Sequence, residues 1–252
     1  MLRTLFSGAY PAIFERRLHP HEWLSAYVAT YVERDVRQIL NVGDLLAFQT
    51  FLQLAAGRTG QLLNLSSLAG DCGITHNTAK AWISVLEASF LVQRLPPFHA
   101  SIKKRLVKTP KLHVLDTGLL CFLLDIQSPE QLLRHPSRGA IFESWVVSEL
   151  LKRRLNQGLR SNLSFYRDRS GLEVDVVSTQ GGRVQLLEAK SGQTAAGDAF
   201  TALGRVSRLL LERTSVEALE SIVVYGGQDE QRRSAGRIVP WSRLSTLDAS
   251  GA

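Results

Sequence analysis

Residues 171–190 have the sequence GLEVDVVSTQGGRVQLLEAK, in which two alternating apolar runs flank a Gly-Gly pair. The alternation predicts β-strands at Val174–Val177 and Val184–Ala189, because successive side chains of a strand point to opposite faces. Gln180-Gly181-Gly182 has the composition of a tight turn, so the two strands are predicted to form an antiparallel hairpin.

Three charged side chains are expected to converge in this hairpin. Asp175 lies on the face opposite Val174, and Glu188 and Lys190, two residues apart, share a face. The hairpin sets Asp175 opposite the neighbourhood of residues 187–189, so the three groups are predicted to form one site. A Glu-x-Lys pair taken alone would indicate only a surface ion pair.

Two carboxylates on adjacent strands suit a hard divalent cation, Mg²⁺ or Mn²⁺. The metal would polarise a phosphodiester oxygen and lower the pKa of a bound water. Lys190 would position or help activate that water, or stabilise charge in the transition state. Glu143 lies on the apolar face of a predicted helix at 141–155, where a carboxylate needs a partner or a metal. Asp175, Glu188 and Glu143 are the predicted metal ligands, and Lys190 and Glu143 the predicted catalytic residues. Alternatively, the helix is rolled and Glu143 lies at the edge of the core.

Outside the hairpin, strands are predicted at 163–166 and 222–225 and a helix at 195–211, which gives an αβββαβ order from residue 138 onwards. Helices are expected at 22–41 and 45–56. Residues 64–115 then predict a helix, a tight turn, a second helix, a strand at 91–95, a basic loop and a strand at 111–115. That order is typical of a winged helix-turn-helix, whose second helix enters the major groove. Thr75 or Asn77 is expected to cap the second helix and Asp116 the helix after the last strand.

The positive charge of the chain is concentrated in the predicted wing. The chain has 30 Lys and Arg against 23 Asp and Glu, a formal net charge of +7. Five basic residues and no acidic residue fall between 96 and 112: Lys103, Lys104, Arg105, Lys108 and Lys111. This favours contact with nucleic-acid phosphate, although a solvated loop or a winged helix used for protein contacts remains open. The predicted nucleic-acid contacts are Lys80, Lys103, Lys104, Arg105 and Lys108.

The remaining composition excludes several classes of protein. Two cysteines cannot build a disulfide framework or a four-cysteine zinc site. No apolar run is long enough to span a bilayer, and the N-terminus shows no secretion signal. A cytoplasmic protein without a membrane partner is expected.

The Asp…Glu-x-Lys hairpin, preceded by a helix that carries Glu143, resembles the PD-(D/E)XK nuclease superfamily. The resemblance is strongest to the branch that includes archaeal-type Holliday junction resolvases, which implies metal-dependent DNA cleavage and a homodimer. The sequence departs from the motif at Glu173-Val174, where Pro-Asp would be expected.

Several short stretches together resemble domain-of-unknown-function family 4143, between about residues 8 and 225. They are Gly8-Ala9-Tyr10-Pro11, residues 31–36, residues 112–119, residues 139–143, Tyr166-Arg167-Asp168, Glu173-Val174-Asp175 and residues 187–190. Longer relatives carry an upstream AAA-type P-loop ATPase domain, whereas this sequence has no P-loop; Gly57-Arg58-Thr59-Gly60 lacks the lysine and the spacing. The resemblance therefore implies the C-terminal half of such a protein, without ATP hydrolysis of its own.

These observations predict an α+β or α/β chain with a helical segment at 1–43, a winged helix-turn-helix domain at 44–126 and a nuclease-like domain at 138–240. The leading hypothesis is a DNA-binding, metal-dependent nuclease. One alternative is a non-catalytic DNA- or protein-binding module with a remnant nuclease site. Another is the effector half of a split ATPase, whose ATPase domain acts in trans.

Overall fold

The computed structural model describes residues 1–30, 44–98, 107–214 and 216–247. The chain divides into two compact units. The helical unit comprises residues 2–94 and 111–145, and the sheet unit comprises Met1 and residues 95–110 and 146–252. Helices and sheets are mixed along the chain, so the predicted α+β class is confirmed. Within the described residues, no helix combines the length and apolar character needed to cross a membrane.

Short helices and a small sheet build the helical unit. Its elements are α1 (Leu2–Ser7), α2 (Pro11–Glu15), α3 (Pro20–Tyr27), α4 (Leu45–Gly57), β1 (Gln61–Leu62), α5 (Leu65–Asp71), α6 (His76–Ala88), β2 (Val92–Leu95), β3 (Lys111–Val114), α7 (Thr117–Leu123), α8 (Pro129–Arg134) and the start of α9 (Arg138–Asn156). The three strands are ordered β1-β3-β2. The predicted helix at 22–41 falls partly on residues 31–43, outside the described part of the chain.

The local sequence explains where α6 begins and which face it buries. Thr75 caps the helix, because its hydroxyl accepts a hydrogen bond from the backbone N–H of Thr78 at 3.1 Å. Gly73, with φ +66°, provides the left-handed backbone of the preceding turn. The buried face includes Trp82, whose ring meets Phe48 and Phe51 edge-on. The amphipathic pattern that predicted this helix is therefore confirmed.

The start of the chain is fastened to α7 through close backbone contacts. The Asp116 carboxylate accepts hydrogen bonds from the backbone N–H groups of Leu119 at 2.8 Å and Ala9 at 2.7 Å. A Cβ atom on Gly118 would lie 2.7 Å from the backbone of Ser7, and one on Gly8 would overlap the Asp116 carboxylate. Asp116 is thus the predicted cap of α7, and it also holds a segment distant in sequence.

One six-stranded sheet dominates the other unit. Its strands are β4 (Leu163–Arg167), β5 (Glu173–Gln180), β6 (Arg183–Lys190), β7 (Ala218–Tyr225), β8 (Gln231–Arg233) and β9 (Gly236–Pro240). Their order is β4-β5-β6-β7-β9-β8, in which β6, β7 and β9 are parallel neighbours and the other pairs are antiparallel. The sequence pattern missed β1, β8 and β9, because none has an alternating apolar run of useful length.

A helix covers one face of this sheet. After a 3₁₀ helix at Gly197–Phe200, α10 (Thr201–Arg213) packs on β5, β6 and β7. Leu203, Val206 and Leu210 are completely buried in the same cluster as Leu186 and Val223. Their spacing of three and four residues is that of an amphipathic helix. This apolar contact holds the strands that carry the predicted site residues.

The connection between β2 and β3 is bonded at both described ends to the edge strand β4. Phe165 accepts a hydrogen bond from Phe98 N–H at 2.7 Å and donates one to Pro96 O at 3.0 Å. The backbone N–H of Val107 donates to Arg167 O at 3.1 Å. Residues 95–110 therefore belong to the sheet unit, although β2 and β3 pair within the small sheet.

Candidate functional site

The β5–β6 hairpin forms in the predicted register and fixes the position of Asp175. Backbone pairing runs from Gln180–Arg183 to Val176–Leu187. One residue beyond that pairing, the Asp175 carboxylate accepts a hydrogen bond from the backbone N–H of Ala189 at 2.9 Å. The side chain thereby bonds to the partner strand, which explains how an aspartate is accommodated within a strand.

Glu188 and Lys190 lie side by side, as the spacing predicts. The Lys190 ammonium donates a hydrogen bond to a Glu188 carboxylate oxygen at 2.8 Å. The Glu188 side chain is 14% exposed and the Lys190 side chain 46%. Partial burial lowers the pKa of Lys190, but this hydrogen bond and the negative charges of Glu188, Asp175 and Asp198 outweigh it, so its pKa is raised. The lysine is therefore a cation at neutral pH.

Asp198 is the residue of this neighbourhood that sequence reasoning missed. It is an exposed residue of the 3₁₀ helix after β6, and its negative charge contributes to the raised pKa of Lys190. The loop from Ser191 to Ala196 separates it from the hairpin and carries no periodic pattern that would have placed it.

Asp175 and Glu188 are the carboxylates of the hairpin that sequence analysis predicts as metal ligands. In the part of the chain that the structure describes, no group of three or more His, Cys, Asp or Glu side chains is arranged to hold a metal. Mg²⁺, however, is usually held by one or two carboxylates, with waters and substrate phosphate oxygens completing its octahedron. Asp175 and Glu188 are two such carboxylates, and their predicted role as metal ligands stays a prediction.

Two other acidic residues near the site have structural partners. Glu173, which stands where the nuclease motif would place Pro-Asp, forms an ion pair with Arg167 at 3.0 Å across β4 and β5. Asp168 is buried and organises the turn between these strands, because one of its oxygens accepts hydrogen bonds from the backbone N–H groups of Ser170 and Leu172. Both residues keep β5 in place.

Glu143 lies in the helical unit, where it pairs with Lys111. The Lys111 ammonium lies 2.8 Å from a Glu143 oxygen, and the lysine side chain is only 2% exposed. The metal-binding and catalytic roles predicted for Glu143 stay predictions. Lys111, which the charge count includes in the basic stretch, begins β3 and is buried and paired, so it adds no exposed charge to that stretch.

A buried polar network continues from this ion pair. His113 Nδ1 lies 3.0 Å from the Ser144 hydroxyl, which lies 2.7 Å from the Thr59 hydroxyl. Thr59 also accepts a hydrogen bond from the backbone N–H of Val114 at 3.1 Å. Complete burial, together with the charge of Lys111, lowers the pKa of His113 to about 3. The imidazole is therefore neutral, and the network joins β3 to the start of α9.

The predicted nucleic-acid contacts are described only in part. Lys80 is exposed on α6, on the same side as Thr75, His76, Asn77 and Ser84, as the helical pattern predicts. Lys108 is also exposed. Lys103, Lys104 and Arg105 lie outside the described residues.

Comparison with known proteins places the chain in a family. Residues 1–130 match the model of the family named Domain of unknown function (DUF8612), and since this is more than half of the chain, the protein belongs to that family. Residues 138–244 match Domain of unknown function (DUF4143). The resemblance to family 4143 is thus confirmed for the second half, whereas the first half matches a different family model.

Two curated relatives also match the chain. An uncharacterized protein of Mycobacterium tuberculosis and one of Mycobacterium bovis are each 29% identical to it over 195 residues. The aligned region covers 76% of this chain and 43% of each relative, so the chain spans less than half the length of these relatives. No solved structure matches it significantly.

Proposed function

We propose that this chain binds DNA and hydrolyses phosphodiester bonds at a metal-dependent site of the PD-(D/E)XK type in the β5–β6 hairpin. The observation that carries the proposal is the convergence of Asp175, Glu188 and Lys190. The Asp175 carboxylate is bonded to Ala189 N–H, the residue between the other two, and the Lys190 ammonium is bonded to Glu188.

In this proposal each of the three side chains has a separate task. Asp175 and Glu188 hold the metal, which when bound supplies Lewis acidity and an activated water. Lys190 is protonated in the metal-free site, where its pKa is raised. In this proposal its ammonium donates a hydrogen bond that stabilises charge on the phosphate. Glu143 is left out of this set, because it already neutralises the buried Lys111.

The order of elements in the helical unit supports a winged helix-turn-helix. The sequence α4, β1, α5, α6, β2, β3, with β3 in the middle of the small sheet, follows the order of that fold. In this proposal α6 lies in the major groove. Its exposed side carries His76, Asn77 and Lys80, which are suited to polar contacts with bases and phosphates.

A cleavage assay tests the catalytic part. The purified chain is incubated with branched, linear and single-stranded DNA in the presence of Mg²⁺ or Mn²⁺. Cleavage is expected for the wild type and for the control Glu212→Gln, an exposed carboxylate on α10, and a loss of at least 100-fold for Asp175→Asn and for Lys190→Met. Equal activity of wild type and Asp175→Asn would refute the assigned site.

A non-catalytic DNA-binding module is the second candidate function. The hydrogen bond between Lys190 and Glu188 favours it, because the ammonium already occupies one of the carboxylate oxygens. In that case the wild type is inert on every DNA, yet it binds DNA with a steep salt dependence that Asp175→Asn leaves unchanged. An ATPase domain acting in trans fits either function, and co-purification of a P-loop protein with the chain would support it.

A further inference from the structure

The hairpin of β8 and β9 carries a second concentration of basic residues. Residues 231–237 contain Arg232, Arg233 and Arg237 and no acidic residue. The tip, from Arg232 to Ala235, is exposed. Gly236, with φ +146°, brings β9 close to β7, since a Cβ atom there would lie 2.2 Å from Ser221 O. The hairpin therefore packs closely on β7 at its base and presents its tip to solvent.

An open cleft of about 560 Å³ lies beside this tip, between the start of β7 and Ser207 of α10. The acidic residue that lines it is Glu220, whose carboxylate is bonded to Arg237 at 3.1 Å and to the Gln185 side chain at 3.0 Å. Arg237 also pairs with Glu230 at 2.9 Å, and Glu230 pairs with Arg243 at 3.3 Å. These two acidic and two basic side chains balance one another, so the positive charge of the cleft comes from the other two arginines.

Arg232 and Arg233 are exposed cations that can contact an external anion. In the described ranges of the chain, neither forms an ion pair with an acidic side chain. Arg233 donates to neutral acceptors, the Gln231 side chain at 2.9 Å and Ala195 O at 3.4 Å, which orient it without cancelling its charge. Exposed arginines present planar forks that match phosphate geometry.

The two arginines point to opposite faces of the hairpin, because they are adjacent in a strand. Arg232 shares the face of its cross-strand partner Arg237. Two separated charges at the rim of an open cleft suit an extended polyanion better than one small phosphate.

The cleft lies on the same strands as the candidate metal site. Leu219 in the cleft pairs with Val184, whereas Val223 pairs with Glu188. Four residues of strand correspond to about 13 Å. Leu186 and Val223 on this stretch are buried under α10, so the cleft and Glu188 are separate contacts rather than one continuous surface.

We propose that Arg232 and Arg233, at the tip of the β8–β9 hairpin, form an anchoring surface for the phosphate backbone of DNA. This inference rests on the DNA-binding function proposed above, and it places a second contact on the sheet unit. The surface adds affinity without sequence preference, because phosphate contacts carry no base information.

Salt-dependent binding of duplex DNA tests the surface. The variant Arg232→Gln/Arg233→Gln is compared with Arg160→Gln/Arg169→Gln, which removes the same charge from two other exposed arginines of the sheet unit. Fluorescence anisotropy with a labelled duplex is recorded between 50 and 200 mM salt, after circular dichroism and thermal unfolding show that all proteins are folded. The first variant is expected to lose about 10-fold or more in affinity, and its slope of log K against log salt should fall by about two. The control should retain most of the affinity.

The other outcomes separate this inference from the proposed function. Wild-type binding that the Arg232/Arg233 change leaves intact overturns the anchoring surface alone. An equal loss in the control also overturns it, since net charge would then explain the effect. A wild type that binds no DNA refutes both the surface and the DNA-binding function. If DNA binding persists while a co-purifying protein is lost, the surface binds protein and the inference is wrong.

Discussion

Lys111 and Glu143 form a buried ion pair in which the lysine ammonium lies 2.8 Å from a carboxylate oxygen. The lysine comes from β3 and the glutamate from α9, so the pair fastens two segments 32 residues apart. His113 and Ser144, the neighbours of this pair, extend it into a buried polar network. A buried charge is tolerated only while its partner is present.

Removal of either partner of this pair should destabilise the fold strongly. Lys111→Met or Glu143→Gln is expected to lower the free energy of unfolding by about 3–5 kcal/mol, because each leaves an uncompensated buried group. The double variant Lys111→Met/Glu143→Leu should recover part of the loss. Lys108→Met, which removes an exposed lysine, should change it by less than about 0.5 kcal/mol. Denaturant unfolding measures all four, and equal effects of the two lysine variants would contradict the buried pair.

Because His113 is neutral in the folded protein, the free energy of unfolding should decrease at acidic pH. Its pKa is lowered to about 3 in the folded protein by burial and by the charge of Lys111, against about 6.5 when unfolded. Between pH 6.5 and about 3 the unfolded chain binds a proton that the folded protein does not. The free energy of unfolding is therefore not reduced by this group above pH 6.5, and it decreases by up to about 1.4 kcal/mol per pH unit as the pH falls towards 3. The free energy of unfolding, measured between pH 4 and 7.5, should depend less steeply on pH in His113→Asn than in the wild type. The exposed-histidine variant His76→Gln should keep the wild-type slope, and parallel curves for all three proteins would contradict the assignment.

Two helical glycines should respond in opposite ways to alanine. Gly118→Ala places a methyl group 2.7 Å from the Ser7 backbone, so it should destabilise the protein by about 1–3 kcal/mol. Gly139→Ala in α9 meets nothing within 4 Å and should stabilise it by up to about 1 kcal/mol through helix propensity. Thermal unfolding measured by calorimetry distinguishes them, and a neutral Gly118→Ala would show that α1 and α7 separate easily.

Metal binding should be visible without catalysis. If Asp175 and Glu188 hold a divalent cation, Mn²⁺ at about 100 times its dissociation constant should stabilise the wild type by about 2.7 kcal/mol. Asp175→Asn/Glu188→Gln should abolish this increase, whereas Glu212→Gln should leave it intact. Isothermal titration calorimetry gives the affinity directly, and the same heat for wild type and double variant would place the cation elsewhere.

The parts of the fold that the sequence predicts correctly depend on neighbours in the chain. The β5–β6 hairpin, the cap at Asp116 and the buried face of α6 all follow from spacing, turn residues or amphipathic alternation. Convergence around Lys190 was predictable for the same reason, since Asp175 and Glu188 share one hairpin. Whether the site is catalytic does not follow from this geometry, and it stays a prediction.

The features that sequence reasoning missed depend on contacts between distant segments. Nothing around Lys111 indicates that it is buried, because its partner Glu143 comes from a different element. Asp198 likewise approaches Lys190 through an irregular loop. Strands β8 and β9 are short, and β8 is fully exposed, so they lack the alternation that identifies a half-buried strand.

Residues 96–98 and 107 form main-chain hydrogen bonds with β4, but they lie outside residues 138–244, which match the second family model. The boundaries of the family match therefore differ from the boundaries of the folded unit. A polypeptide cut to residues 138–244 would keep β4 but lose the main-chain partners of Phe165 and Arg167. The bared edge would then be ready to pair with another chain, the usual starting point of aggregation. In this protein, residues 96–98 and 107 cover the edge of β4, although they lie outside the residues that match the family model.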